Sequence, residues 1–169
     1  ALSAGFDYAA TEHYNGADTL TVTVNDQGNT GSGGGGDVSD TVAITVNALN
    51  DDPTITVPAA QSVDEDGSLV FSTGNGNAIS IADVDSDAGD LTVTVAVTNG
   101  TVTLADIGPV AITDGADGTD TVTFTGTVAS VNTAIETITY APADDYNGAD
   151  TLTITVNDGG NTGDGGGGD

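Results

Sequence analysis

Residues 140–169 read YAPADDYNGADTLTITVNDGGNTGDGGGGD, and residues 8–37 read YAATEHYNGADTLTVTVNDQGNTGSGGGGD. The two stretches align without a gap, 132 residues apart, and differ by small exchanges such as Val22 for Ile154 and Glu12 for Asp144. Within each copy, apolar residues alternate with threonine: Leu20, Val22 and Val24 in the first, Leu152, Ile154 and Val156 in the second. Period-two alternation ending in an Asn-Asp turn predicts a half-buried strand rather than a helix. The repeat interval exceeds the 20–50 residues of a solenoid unit, so each copy belongs to a whole domain, and the chain reads as part of an array of like domains.

The same alternation recurs outward from the duplicated stretch. It is found at Thr41–Val46, Thr54–Val57, Ser68–Phe71, Ala78–Ile81, Leu91–Val97, Thr101–Leu104, Val110–Ile112, Thr121–Phe124 and Thr137–Tyr140. Short Val/Ile/Thr-rich runs separated by Gly, Asn and Asp predict an all-β fold, an antiparallel Ig/cadherin-like β-sandwich. One segment breaks the pattern: in Thr127–Glu136, Val128, Val131 and Ile135 share a helical face behind a threonine N-cap. Asn99-Gly100 between two alternating runs predicts a two-residue hairpin turn. The glycine tracts 33–36 and 165–168 predict turns between strands; no lysine follows them, which excludes a phosphate loop.

Domain organisation follows from the repeat. Residues 1–48 read as the C-terminal half of a preceding repeat, 49–53 as a linker, and 54–169 as a repeat lacking its last strand. The expectation is a piece of a longer chain, or a unit whose open edge takes a strand from a neighbour.

Composition narrows the function. Of 169 residues 26 are acidic, none is Lys or Arg, and one is His, a formal net charge of −26. No side chain can neutralise a phosphate, so nucleic acid and anionic membranes are excluded as partners. A chain so charged repels itself unless cations are bound or salt is high. With no Cys there is no disulfide and no thiolate metal site. Catalysis is poorly supplied: His13 is replaced by Asp145 in the other copy, and paired carboxylates lack an aromatic sugar platform. The expectation is that the protein is not an enzyme.

Nearly all the acid is aspartate set beside Gly and Asn, the pattern of loops that offer oxygens to a hard cation. Three stretches stand out: VDEDG at 63–67, IADVDSDAGD at 81–90, and ADDYNGAD at 143–150. Asp83, Asp85 and Asp87 alternate as in the opening of an EF-hand loop, but Ala88 stands where that loop needs Gly and no Glu follows at its twelfth position. Elsewhere, as at Asp26, Asp114, Asp117 and Asp158, turn-making is the simpler role.

These residues bring the chain to a known family. Asn50-Asp51-Asp52-Pro53 resembles the cadherin NDxxP linker, Asp83-Val84-Asp85 its DxD motif, Glu65 its acidic loop, and YNGADTLTVTVNDQG the repeat of large bacterial surface adhesins, including the RTX type. The resemblance to cadherin-like tandem adhesin repeats implies calcium (Ca2+) bound between successive domains. It implies one site from Glu12, Asn50, Asp51, Asp83 and Asp85, with Asp87 alongside. It implies a second from Glu65 with Asp144 or Asp145. Two departures stand: Ala48 replaces the first acid of the full linker, and no Arg is present for an Asp-Arg-Glu motif.

The resulting expectation is a calcium-stabilised structural extender repeat of a secreted bacterial cell-surface adhesin, with neighbouring repeats as its partners. Two alternatives stay open. One is a repeat of an extracellular filament or biofilm matrix that forms a homopolymer by strand exchange; the other is a calcium-dependent glycan-binding module.

Overall fold

A computed structural model describes residues 5–28, 35–86 and 89–160. The chain forms two compact units, an N-terminal one ending at Leu49 and a C-terminal one beginning at Asn50.

The N-terminal unit is a hairpin. Strands β1 (Gly16–Asn25) and β2 (Asp37–Val46) pair antiparallel along all ten residues, from Gly16 opposite Val46 to Asn25 opposite Asp37. The first glycine tract falls in their connection, and its residues 33 and 34 lie outside the described residues, as does the second tract at 165–168. Leu20, Val22, Val24, Val38 and Val42 are all exposed, so among the described residues this hairpin presents an apolar face and no buried core.

The C-terminal unit is an all-β antiparallel sandwich with one short helix. A four-stranded sheet runs in the order β11 (Thr153–Asn157), β6 (Leu91–Ala96), β9 (Thr121–Gly126), β8 (Ala111–Gly115). A three-stranded sheet runs β4 (Leu69–Val70), β10 (Thr139–Pro142), β7 (Gly100–Thr103). Strands β3 (Thr54–Thr56) and β5 (Ser80–Ala82) form a separate pair. Alternation does the sorting: Leu91, Val93 and Val95 of β6 and Val122 and Phe124 of β9 are fully buried, while the threonines between them are partly or wholly exposed. From the facing layer come Val102, Ile138 and Tyr140.

Helix α1 (Val128–Ile135) closes the core with Val131, Ala134 and Ile135, and the Thr127 side chain accepts from the Ser130 amide as the predicted N-cap. On the same helix, Asn132 holds the backbone of Ile81 from both sides. Its Oδ1 accepts from the amide at 3.0 Å and its Nδ2 donates to the carbonyl at 2.8 Å.

One expectation is corrected. Asn99-Gly100 does not turn a hairpin, because β6 and β7 lie in different sheets and do not pair. The chain crosses between layers there. Gly100 opens β7 against β10, where a Cβ would stand 2.3 Å from the Ala141 carbonyl oxygen. Glycine serves close approach here, not a positive φ.

Candidate metal centre

Strand pairing gathers the acidic segments. Because β3 runs antiparallel to β5, with Thr54 opposite Ala82, the residues entering β3 (Asn50 and Asp51) meet those leaving β5 (Asp83 and Asp85). Asn132 of α1 fixes β5 from the helix side. A third segment arrives with β11, whose last residue Asn157 pairs with Thr92 near the start of β6 and delivers Asp158 to the same end of the sandwich.

The contacts are specific. The Asp51 amide donates to Asp85 Oδ2 at 2.9 Å, and the Asp85 amide to Asp83 Oδ1 at 3.2 Å. Asp158 Oδ1 accepts from the Gly160 amide at 3.0 Å, and the Asn50 side chain also donates to this carboxylate. Asp85 is only 7% exposed. Among the described residues five side-chain oxygens are buried with no hydrogen-bond partner; one, Asn15 Oδ1, belongs to the N-terminal unit, and the other four are Asn50 Oδ1, Asp83 Oδ2, Asp85 Oδ1 and Asp158 Oδ2. Buried acceptors are ordinarily satisfied, and an ionised carboxylate can only accept. With no Lys or Arg in the chain, these four oxygens are acceptors on neighbouring residues that offer themselves to a cation.

Electrostatics point the same way. Burial raises the Asp83 pKa, and the neighbouring Asp85 and Asp158 carboxylates raise it further, against a lowering hydrogen bond from the Asp85 amide. Asp158 is held below the usual range, first by the Gly160 amide and then by the Asn50 side chain. The donor set is hard oxygen throughout, which suits calcium or magnesium over softer metals. Among the described residues, no three His, Cys, Asp or Glu side chains make up a metal centre by themselves. Asp83, Asp85 and Asp158 therefore do not form a preset three-carboxylate site, and calcium's six to eight ligands would need Asn50, carbonyls or water besides.

The other expected ligands divide. Asp87 lies outside the described residues. Glu12 belongs to the N-terminal unit, where its carboxylate faces His13 Nε2 at 3.6 Å. In the second expected site, Glu65 Oε2 accepts from Asn147 Nδ2 at 3.4 Å, and the Asp145 amide donates to Asp66 Oδ1 at 3.5 Å. Glu65, Asp144 and Asp145 are exposed, and no orphaned buried oxygen accompanies them. The turn-making role expected of Asp158 is present, since it accepts from the Gly160 amide, and the β11–β6 pairing in addition brings it beside Asn50 and Asp83.

Searches of protein-family models, curated proteins and solved structures found no match to this chain. Among the described residues no helix is long and apolar enough to cross a membrane.

Proposed function

We propose that this chain is a calcium-stabilised structural extender repeat of a secreted bacterial cell-surface adhesin, with a mechanical rather than a catalytic role. The observation that carries the reading is the set of four orphaned oxygens on Asn50, Asp83, Asp85 and Asp158 at one end of the sandwich. A divalent cation bound among these residues would give a partner to acceptors that have none and relieve the repulsion that Asp85 and Asp158 exert on Asp83. It would also tie the segment entering the domain at Asn50 to the loop after β5 and the end of β11. Duplication of a stretch 132 residues apart fits a repetitive extender, and a charge of −26 fits a chain that works with bound cations. Secretion suits the metal, since extracellular modules bind calcium with dissociation constants of roughly 0.1–1 mM.

The test is a thermal melt at fixed ionic strength, first in EDTA and then with millimolar calcium. A site occupied at several-fold excess adds about 1 kcal/mol, which for a unit of this size raises the midpoint by about 4 °C. An unchanged midpoint refutes the proposal. An equal rise with added NaCl in place of calcium refutes it too and marks the acidity as an adaptation to salt.

A further inference from the structure

Helix α1 carries an asparagine in the middle of its eight residues, although asparagine is among the weaker helix formers. What holds Asn132 there is tertiary. Both Nδ2 protons are engaged, one with the Ile81 carbonyl at 2.8 Å and one with the Val128 carbonyl a helical turn back at 3.0 Å. Oδ1 accepts from the Ile81 amide at 3.0 Å. Turning the carboxamide end for end would set a donor against the Ile81 N–H, so a single orientation is fixed.

The carboxamide does for β5 what a neighbouring strand would do. β5 is three residues long and pairs with the three residues of β3, Ile81 opposite Ile55. In an antiparallel ladder the amide and carbonyl of one residue point to the same side, so those of Ile81, bonded to Asn132, face away from β3. Among the described residues no strand pairs with β5 on that side. Ile81 is itself buried in the core. From this anchored residue the chain runs two residues to Asp83 and four to Asp85, with Val84 exposed between them. The loop therefore takes its position from hydrogen bonds at its ends: Asn132 on Ile81, and the Asp51 amide on Asp85.

We propose that Asn132 is a positioning residue for the candidate metal centre: from helix α1, without touching the ion, it holds β5 so that Asp83 and Asp85 present their oxygens to calcium beside Asn50. The proposal rests on the calcium reading and adds to it the element that sets the affinity. Whatever the contacts between Asn132 and Ile81 add to calcium binding, calcium must add to those contacts, because coupling between two equilibria is reciprocal. Groups that orient metal ligands from outside the coordination shell change affinity roughly 10–100-fold when removed. Asn132 acts through the backbone rather than on a ligand side chain, which places it at the lower end, about tenfold.

Calcium titration calorimetry at fixed ionic strength compares the unmodified chain with Asn132→Ala and Asp150→Ala. Both variants lose stability, but Asp150 bonds Thr98, Asn99, Tyr140 and Thr151 and none of the residues that carry the orphaned oxygens. The dissociation constant should rise about tenfold in Asn132→Ala and stay within about twofold in Asp150→Ala. An unchanged affinity in Asn132→Ala overturns the inference and leaves the calcium reading in place. An equal loss in Asp150→Ala overturns it too, since affinity then follows stability alone. An unmodified chain that takes up no calcium overturns both. Should either variant lose the wild-type circular dichroism spectrum, hydrogen exchange of the unmodified chain decides. Calcium must slow exchange of the Ile81 amide more than that of the Leu104 amide, which donates to Asp117 Oδ1 at 2.7 Å; equal slowing overturns the inference.

Discussion

The Asp150 carboxylate ties the two sheets together through one side chain that a single substitution removes. It accepts from the amides of Thr98, Asn99 and Thr151 at 3.2, 2.9 and 2.7 Å, and from the Tyr140 hydroxyl at 3.0 Å. Thr98 and Asn99 carry the chain from the four-stranded sheet to the three-stranded one, and Tyr140 sits in the middle of the latter. Asp150→Ala leaves the Thr98 and Asn99 amides without their acceptor and the Tyr140 hydroxyl with only the Asn99 carbonyl, at 3.2 Å. Hydrogen bonds to charged groups contribute about 1.5–3 kcal/mol each, and partial exposure of Asp150 lets water recover part of that, so the expected loss is about 3 kcal/mol. In a thermal melt this corresponds to about 10 °C.

The pH profile gives a second reading of the same site. Burial works to raise the Asp150 pKa, but the hydrogen bonds from Asn99, Thr151, Tyr140 and Thr98 outweigh it and hold the value below the ordinary range. A depressed folded-state pKa adds stability above the unfolded value, and that stability is lost as pH falls through the folded one. Asp150→Ala should therefore flatten the acid limb of stability against pH as well as lower its plateau. A loss under 1 kcal/mol, or a full loss with an unchanged acid limb, would refute the assignment of Asp150 as a charged tie.

Three further outcomes follow from the geometry. Gly115, at φ +69° with a Cβ position 2.2 Å from the Thr121 carbonyl oxygen, has no room for a side chain; Gly115→Ala should cost about 2 kcal/mol or more from strain at positive φ and the clash, read as a lower urea midpoint. Asp158→Ala should weaken calcium binding at least tenfold by titration calorimetry, and it also removes the acceptor of the Gly160 amide and the Asn50 side chain; an unchanged affinity removes Asp158 from the site. Tyr140 is pushed up to about 12 from 10.0 by burial and by its hydrogen bond to Asp150. Its contribution is complete below pH 10 and is lost as pH rises to about 12, so Tyr140→Phe should remove a phenolate that titrates at about 12 from the alkaline absorbance curve.

Much of the fold was legible because the core is built from alternation. Leu91, Val93 and Val95, or Val122 and Phe124, declare their buried face at every second residue, and Thr127 announces the helix start through its cap. Asn99-Gly100 misled because a turn signal describes only its own few residues. Whether the next strand pairs with the last or crosses to the opposite layer depends on β10, forty residues away, which takes β7 as its partner. The candidate metal centre divides along the same line. Asp83 and Asp85 are visible as spacing within one loop, and Asn50 and Asp51 through a linker motif. Asp158 is visible only through the pairing of β11 with β6.

That dependence has a thermodynamic consequence. Three segments distant in sequence supply the four oxygens, and two strand pairings, β3 with β5 and β11 with β6, bring them together. A cation held there binds nothing comparable in the unfolded chain, so its binding free energy becomes folding free energy of the whole unit rather than of one loop. The duplicated stretch makes the same point for packing. Leu20, Val22 and Val24 stand exposed where Leu152, Ile154 and Val156 pack on a core, although the two sequences are nearly identical. The difference lies in the partner strand and the layer beneath it. A repeat of this kind specifies a strand and its two faces, and the layer it meets decides how deeply the apolar face is buried.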